Sequence, residues 1–189
     1  MSSTAPEKPG AHIADPGPLG LAGFAMTTMV LSFHNTGLFH ATPVVFGLAI
    51  FYGGIAQLLA GMWEFAKGNT FGATAFASYG AFWLSFWYLQ THTDLSAGGS
   101  ASSGQQSDSV GLWLLAWAIF TAYMFVASFR TNPFLITVFG LLTVTFLLLS
   151  LGDWTTTEGL TKAGGWFGLA TAVAAWATSF KGVVASFGD

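Results

Sequence analysis

Asp15-Pro16-Gly17-Pro18-Leu19-Gly20-Leu21 is the stretch that decides how this chain is read. The residues before it are mostly polar, and those after it are apolar for about the thickness of a bilayer. An Asp-Pro pair marks a helix start: the carboxylate accepts from free N–H groups, and proline sits where no intrahelical N–H is needed. Asp15 is therefore expected as a cap, with Pro16, Pro18, Leu19 and Gly20 opening the helix. Asn132-Pro133 repeats the device later in the chain.

Composition agrees with a membrane protein. Of 189 residues, 53% are hydrophobic and 7% charged, where ordinary soluble domains carry roughly 25% charged residues. Nineteen Phe and eight Trp add apolar bulk that a soluble surface does not accommodate, and the mean hydropathy is +0.62. Without Cys, disulfides and thiolate metal sites are excluded. The net charge of −3 comes from scattered loop charges and points to no nucleic acid. Residues 1–14 are polar and lack the apolar core of a signal peptide, so they read as a disordered tail.

About 20 residues at 1.5 Å each cross the roughly 30 Å of a hydrocarbon core. Six stretches of that kind follow: Pro16–Phe39, Pro43–Phe65, Thr70–Gln90, Val110–Phe129, Pro133–Leu151 and Leu160–Val184. The expected fold is all-α, a single transport domain of six transmembrane helices over 15–186. A Gly/Ser/Gln-rich stretch, 93–109, reads as a flexible external loop. If the spans alternate, Lys8, Lys67, Arg130 and Lys181 share one side and Lys162 alone takes the other. The positive-inside rule then places both termini in the cytoplasm of a cell carrying this multi-pass protein in its inner or plasma membrane.

Spans one, three and five run in the same direction and begin at Asp15, Asn69 and Asn132. About ten residues beyond each cap stand Phe24, Tyr79 and Leu142, roughly 13–15 Å deep and near one level. Facing a common axis, they form an apolar collar with one hydroxyl; facing elsewhere, they are packing residues of a Phe-rich bundle. Thr28, Ser32 and Asn35 share one face of the first span, and Thr74, Ser78 and Ser85 one face of the third. Thr27, Thr28, His34, Asn35 and Ser78 are the candidate substrate path, although Ser and Thr in membrane helices also bond back to their own backbone. Strongly polar groups such as His34 and Asn35 within a span face a cavity or a partner.

No Lys or Arg lies deep in any span, where a charge costs at least ~2.5–3.5 kcal/mol. The nearest acid is Glu64; with Lys67 and Asn69 it is the candidate for coupling or anion admission. A passage of hydroxyls, amides and rings binds a small solute loosely, as rapid passage requires. Small residues in span two (Gly53, Gly54, Ala60, Gly61) and span six (Gly164, Gly168, Ala172) suit close helix contacts, with Gln57 as an interhelical donor. His12, His34, His40 and His92 lack ligand spacing, and no nucleophile, phosphate-loop or dinucleotide motif occurs. No enzyme activity, metal or cofactor is expected.

These residues resemble the acetate uptake transporter family, that of the bacterial succinate–acetate permeases. The likeness runs from Asp15 to about Gly168. It is carried by the 15–21 opening, Gly23-Phe24-Ala25-Met26-Thr27-Thr28, His34-Asn35, Phe51-Tyr52-Gly53-Gly54-Ile55-Ala56-Gln57, Ala60-Gly61, Lys67-Gly68-Asn69-Thr70-Phe71-Gly72 and Ser78-Tyr79-Gly80 with Phe82-Trp83. The resemblance implies a six-helix protomer, assembly into a homo-hexamer in the lipid bilayer, and a pore in each protomer for acetate and related carboxylates, succinate included. It also implies a constriction of Phe, Tyr and Leu, which falls on Phe24, Tyr79 and Leu142. A channel-like pore is the expectation; a proton-coupled acetate symporter, or a channel for formate, bicarbonate or ammonia, is the alternative. The family opens this motif with Asn where the chain has Asp15. A carboxylate there repels an anion unless Lys67 or Lys8 offsets it.

Overall fold

The computed structural model describes residues 13–40, 42–93 and 103–187, and among these it is all-helical. Helix α1 spans Gly17–Asn35. Helix α2 is α-helical over Thr42–Ile50, π-helical over Phe51–Ala56 and α-helical again over Gln57–Lys67. Then come α3 (Thr70–His92), α4 (Ser103–Ser128), α5 (Pro133–Thr155) and α6 (Glu158–Ala185). By length and apolarity, Pro43–Lys67, Asp108–Ser128, Pro133–Thr155 and Glu158–Ala185 can cross a membrane. Helices α1 and α3 are not among these four, because their Gly, Ser and Thr lower the hydropathy of the two rods that carry most of the interior.

The helix starts follow local chemistry. Asn69 and Asn132 cap α3 and α5, their Oδ1 atoms accepting from Gly72 N and Leu135 N at 3.1 Å each. Helix α1 departs from expectation: its cap position is Pro16, with no side-chain bond. Asp15 stands one residue outside, accepting from Gly17 N at 3.2 Å. Helix α1 also stops at Asn35, before the expected Phe39, because Thr36 and Gly37 (φ +78°) turn the chain. Helix α4 starts at Ser103, inside the stretch expected to be loop. Residues 94–102 of that loop and 1–12 of the tail lie outside the described residues.

Packing is led by small residues. Helix α1 lies along α6 and against the π-helical segment, α2 along α3, and α5 between α4 and α6. A Cβ on Gly23 would stand 2.6 Å from the Tyr52 carbonyl oxygen, and one on Gly165 2.6 Å from Thr36 N. Only glycine admits such backbone approach, and close approach of this kind drives helix association where lipid supplies no hydrophobic force. Aromatic rings fill the middle, with Phe24, Tyr79, Phe82, Trp83, Leu142 and Phe146 in one buried cluster. Large apolar side chains such as Val44, Phe51, Ile119 and Phe180 cover the outside. An outer face this apolar suits a lipid solvent.

Candidate functional site: two cavities and the residues between them

Helices α1, α3 and α5 begin around a cavity of about 340 Å³. A second cavity, of about 220 Å³, is lined by the later turns of the same helices together with α4 and Thr161 of α6. Phe24 and Leu142 line both cavities, and Tyr79 lines the first. All three are buried, at 3–4% exposure. The Phe24 and Tyr79 rings are tilted with centroids 5.6 Å apart.

Tyr79 uses its hydroxyl elsewhere. Its oxygen lies 2.9 Å from Thr121 Oγ1, and Thr121 Oγ1 donates to the Trp117 carbonyl at 2.7 Å. With the threonine proton committed to Trp117, the tyrosine O–H is the donor in this pair. The hydroxyl is thereby drawn towards α4, and the ring remains for the cavity wall.

The face read from α1 comes together as a unit. Thr28, Ser32 and Asn35 all line the second cavity, and His34, read separately, lines it too, with Gln90, Thr145 and Asp153. Thr27 and Ser78 line neither cavity. Thr27 donates to Gly23 O at 2.9 Å, the back-bonding alternative for a membrane-helix threonine. Thr137, Thr143 and Thr145 do the same on α5.

At the mouth of the first cavity, the link between α2 and α3 gathers the charged groups. Gly68 takes φ +81° to close α2, with its N–H directed to Glu64 O and Phe65 O, and this left-handed turn brings Asn69 back towards Glu64. Asn69 Nδ2 donates to Glu64 Oε2 at 2.9 Å. Glu64 is 2% exposed. Lys67 Nζ is 2.8 Å from Asp15 Oδ1, so the lysine does offset that carboxylate. Lys181 Nζ rests 4.7 Å from the centroid of the Phe134 ring, and Asp15, Glu64, Asn69, Asn132 and Lys181 all line this cavity.

Two residues of the cavity walls, Gln57 and Trp83, were not among the site residues expected from the sequence. The described residues have three buried side-chain polar atoms without a hydrogen-bond partner: Thr28 Oγ1, Gln57 Oε1 and Trp83 Nε1. Gln57 lines the first cavity, Thr28 and Trp83 the second. An orphaned buried polar atom is rare and calls for a reason; a wall past which water or a polar solute moves supplies one. Gln57 Oε1 accepts no interhelical bond, and Trp83 is interior. The signal for Trp83 was its spacing: Phe76, Tyr79, Trp83 and Phe86 recur at helical periodicity and are all buried. Among the described residues, no cluster of three or more His, Asp or Glu could hold a metal ion.

Comparison with known proteins gives the same answer as the motifs. The GPR1/FUN34/yaaH family profile matches residues 1–187. The chain is 42% identical over 186 residues to acetate permease A of Emericella nidulans, covering 92% of this chain and 62% of the relative. It is 41% identical over 157 residues to the succinate-acetate/proton symporter SatP of Escherichia coli, covering 83% and 81%. The chain spans about three-fifths of the length of the fungal relatives it matches. The solved structure of the bacterial acetate channel SatP superposes with a TM-score of 0.82 at 38% identity, covering 91% of this chain and 93% of that one. By motif, profile and fold, the chain belongs to the GPR1/FUN34/yaaH family.

Proposed function

We propose that this protein carries acetate and related small carboxylates, succinate among them, across a cell membrane through the interior of each protomer. In this reading all six helices cross the bilayer, both termini are cytoplasmic, and six protomers assemble. The observation that carries the proposal is that two cavities, one from each end of the bundle, share Phe24 and Leu142 as wall. The names of the relatives point to the substrate class, acetate for the permease and channel and succinate with acetate for the symporter.

The steps follow from the residues. An anion enters the cavity at the helix starts, where free N–H groups and the positive ends of three helix dipoles favour it. Lys181 adds a cation on the wall. The Phe24–Tyr79–Leu142 collar is the constriction: the methyl group of acetate passes against the rings while the carboxylate sheds part of its water. Beyond the collar, Thr28, Trp83, Ser32 and Asn35 offer donors. Nothing here binds tightly, as a pathway for rapid passage requires. A second reading, proton-coupled symport, has its own support in Glu64, a buried carboxylate on the wall of the first cavity, with Asn69 and Lys67 beside it.

Uptake of labelled acetate into liposomes containing the purified protein tests both. Saturable uptake, absent from empty liposomes, is the expected result. Flux that follows membrane voltage without proton movement marks a channel, and flux abolished by a protonophore marks coupling. Competition by formate, bicarbonate and ammonium measures the substrate range. Reconstituted protein that takes up no acetate under any gradient would overturn the proposal.

A further inference from the structure

Asp15 brings a carboxylate of the protein's own to the mouth of the first cavity. Its Oδ1 accepts from Gly17 N at 3.2 Å and from Lys67 Nζ at 2.8 Å. A helix-start N–H and a lysine ammonium are the two donors a free carboxylate seeks, and here both converge on one oxygen. The Asp15 side chain is 49% exposed and that of Lys67 34%, so water and solutes reach the contact. Deeper in the same cavity, Gln57 is 1% exposed with its Oε1 unpartnered. Glu64 lies beside the same turn: a Cβ on Gly17 would stand 3.3 Å from Asp15 Oδ1 and 3.6 Å from Glu64 Oε1.

We propose that Asp15 is a tethered occupant of a carboxylate-docking site formed by the Gly17 N–H and Lys67, and that it sets how this chain discriminates between monocarboxylates and dicarboxylates. This rests on the transport reading. A free acid takes the Gly17 N–H, and the Lys67 hydrogen bond now made to Asp15, by displacing that carboxylate. Displacement leaves the Asp15 carboxylate in water nearby, where it repels the newcomer, and a dianion is repelled at both charges. Succinate is therefore handicapped more than acetate. Asp15→Asn keeps an amide oxygen for the Gly17 N–H, frees Lys67, and removes the Asp15 charge, with Glu64 still beside Gly17. If the ion pair only ties the start of α1 to the end of α2, then Asp15→Asn and Lys67→Gln weaken the protein alike.

The experiment measures half-saturation for labelled acetate and succinate in liposomes containing the full chain, for wild type, Asp15→Asn, Asp15→Ser, Lys67→Gln and the Asp15→Asn/Lys67→Gln double variant. Exposed ion pairs are worth up to about 1 kcal/mol, or about fivefold in affinity. Asp15→Asn is thus expected to lower the acetate constant about two- to fivefold, and the succinate constant by more. Lys67→Gln raises both constants, the double variant loses the gain, and added salt shrinks it by screening. Asp15→Asn or Asp15→Ser constants equal to wild type, or raised as in Lys67→Gln, overturn the proposal while leaving acetate flux, and so the transport reading, intact. Thermal stabilisation of the purified proteins by succinate reads the docking site without flux: greater stabilisation of Asp15→Asn than of wild type is expected, and equal stabilisation counts against the site even where no variant transports.

Discussion

Leu142→Ala is the change whose consequence the geometry defines most closely. Leu142 is 3% exposed and forms wall for both cavities, so truncation removes three carbon atoms from the partition between them. At about 30 Å³ per water, the space vacated takes on the order of two waters. A carboxylate crossing a dry ring forfeits the hydrogen bonds such waters make, and a bond to a charged group is worth about 1.5–3 kcal/mol net. Restoring one lowers the barrier by that amount, and at 1.36 kcal/mol per factor of ten the flux of acetate rises roughly ten- to a hundredfold. Discrimination against bulkier carboxylates should fall at the same time. Initial rates of labelled acetate and lactate uptake in liposomes, normalised to folded protein by size exclusion, measure both. A folded Leu142→Ala with unchanged or slower acetate flux and unchanged selectivity refutes the collar.

Tyr79→Phe should cost about 1 kcal/mol of stability through the lost bond to Thr121, yet keep acetate flux within about twofold, since the hydroxyl is turned to α4; a loss of more than about tenfold would reinstate the hydroxyl as a ligand. Gly23→Ala places a methyl against the Tyr52 carbonyl and should lower the thermal midpoint by the equivalent of about 1–3 kcal/mol; an unaltered midpoint would mean that α1 moves away from the π-helical segment without cost. Asn132→Ala loses one cap bond and should cost about 1 kcal/mol. Asn69→Ala also strips Glu64 of its partner and should cost more; equal losses in thermal unfolding would contradict the paired role.

Much of this site was written in spacing. The Thr28, Ser32 and Asn35 stripe reads directly as one face of a helix, and that face lines the second cavity. Similar distances from Asp15, Asn69 and Asn132, about ten residues each, put Phe24, Tyr79 and Leu142 near one depth, though whether they met depended on helix rotation, which periodicity alone does not supply. The third-helix stripe of Thr74, Ser78 and Ser85 had the same regularity and faces neither cavity, because Phe76, Tyr79, Phe82 and Trp83 claim the inner side of α3. Bulk outcompeted polarity there: rings fill an interior that small hydroxyls would leave loose. The π-helical turn at Phe51–Ala56 was hidden as well, since Gly53-Gly54 announces only closeness and not an altered hydrogen-bond register. The Tyr79–Thr121 pairing was hidden too, because it joins two helices, α3 and α4, that share no motif.

The absence of Cys from the chain makes a direct test of the shared wall simple. A single Leu142→Cys variant in liposomes, treated with a small thiol-reactive reagent, carries a label only at the proposed constriction. Acetate uptake should be blocked in proportion to labelling, while the unlabelled variant transports and the Cys-free parent ignores the reagent. Complete modification of Cys at position 142 with acetate uptake undiminished would mean that the acid travels by another route.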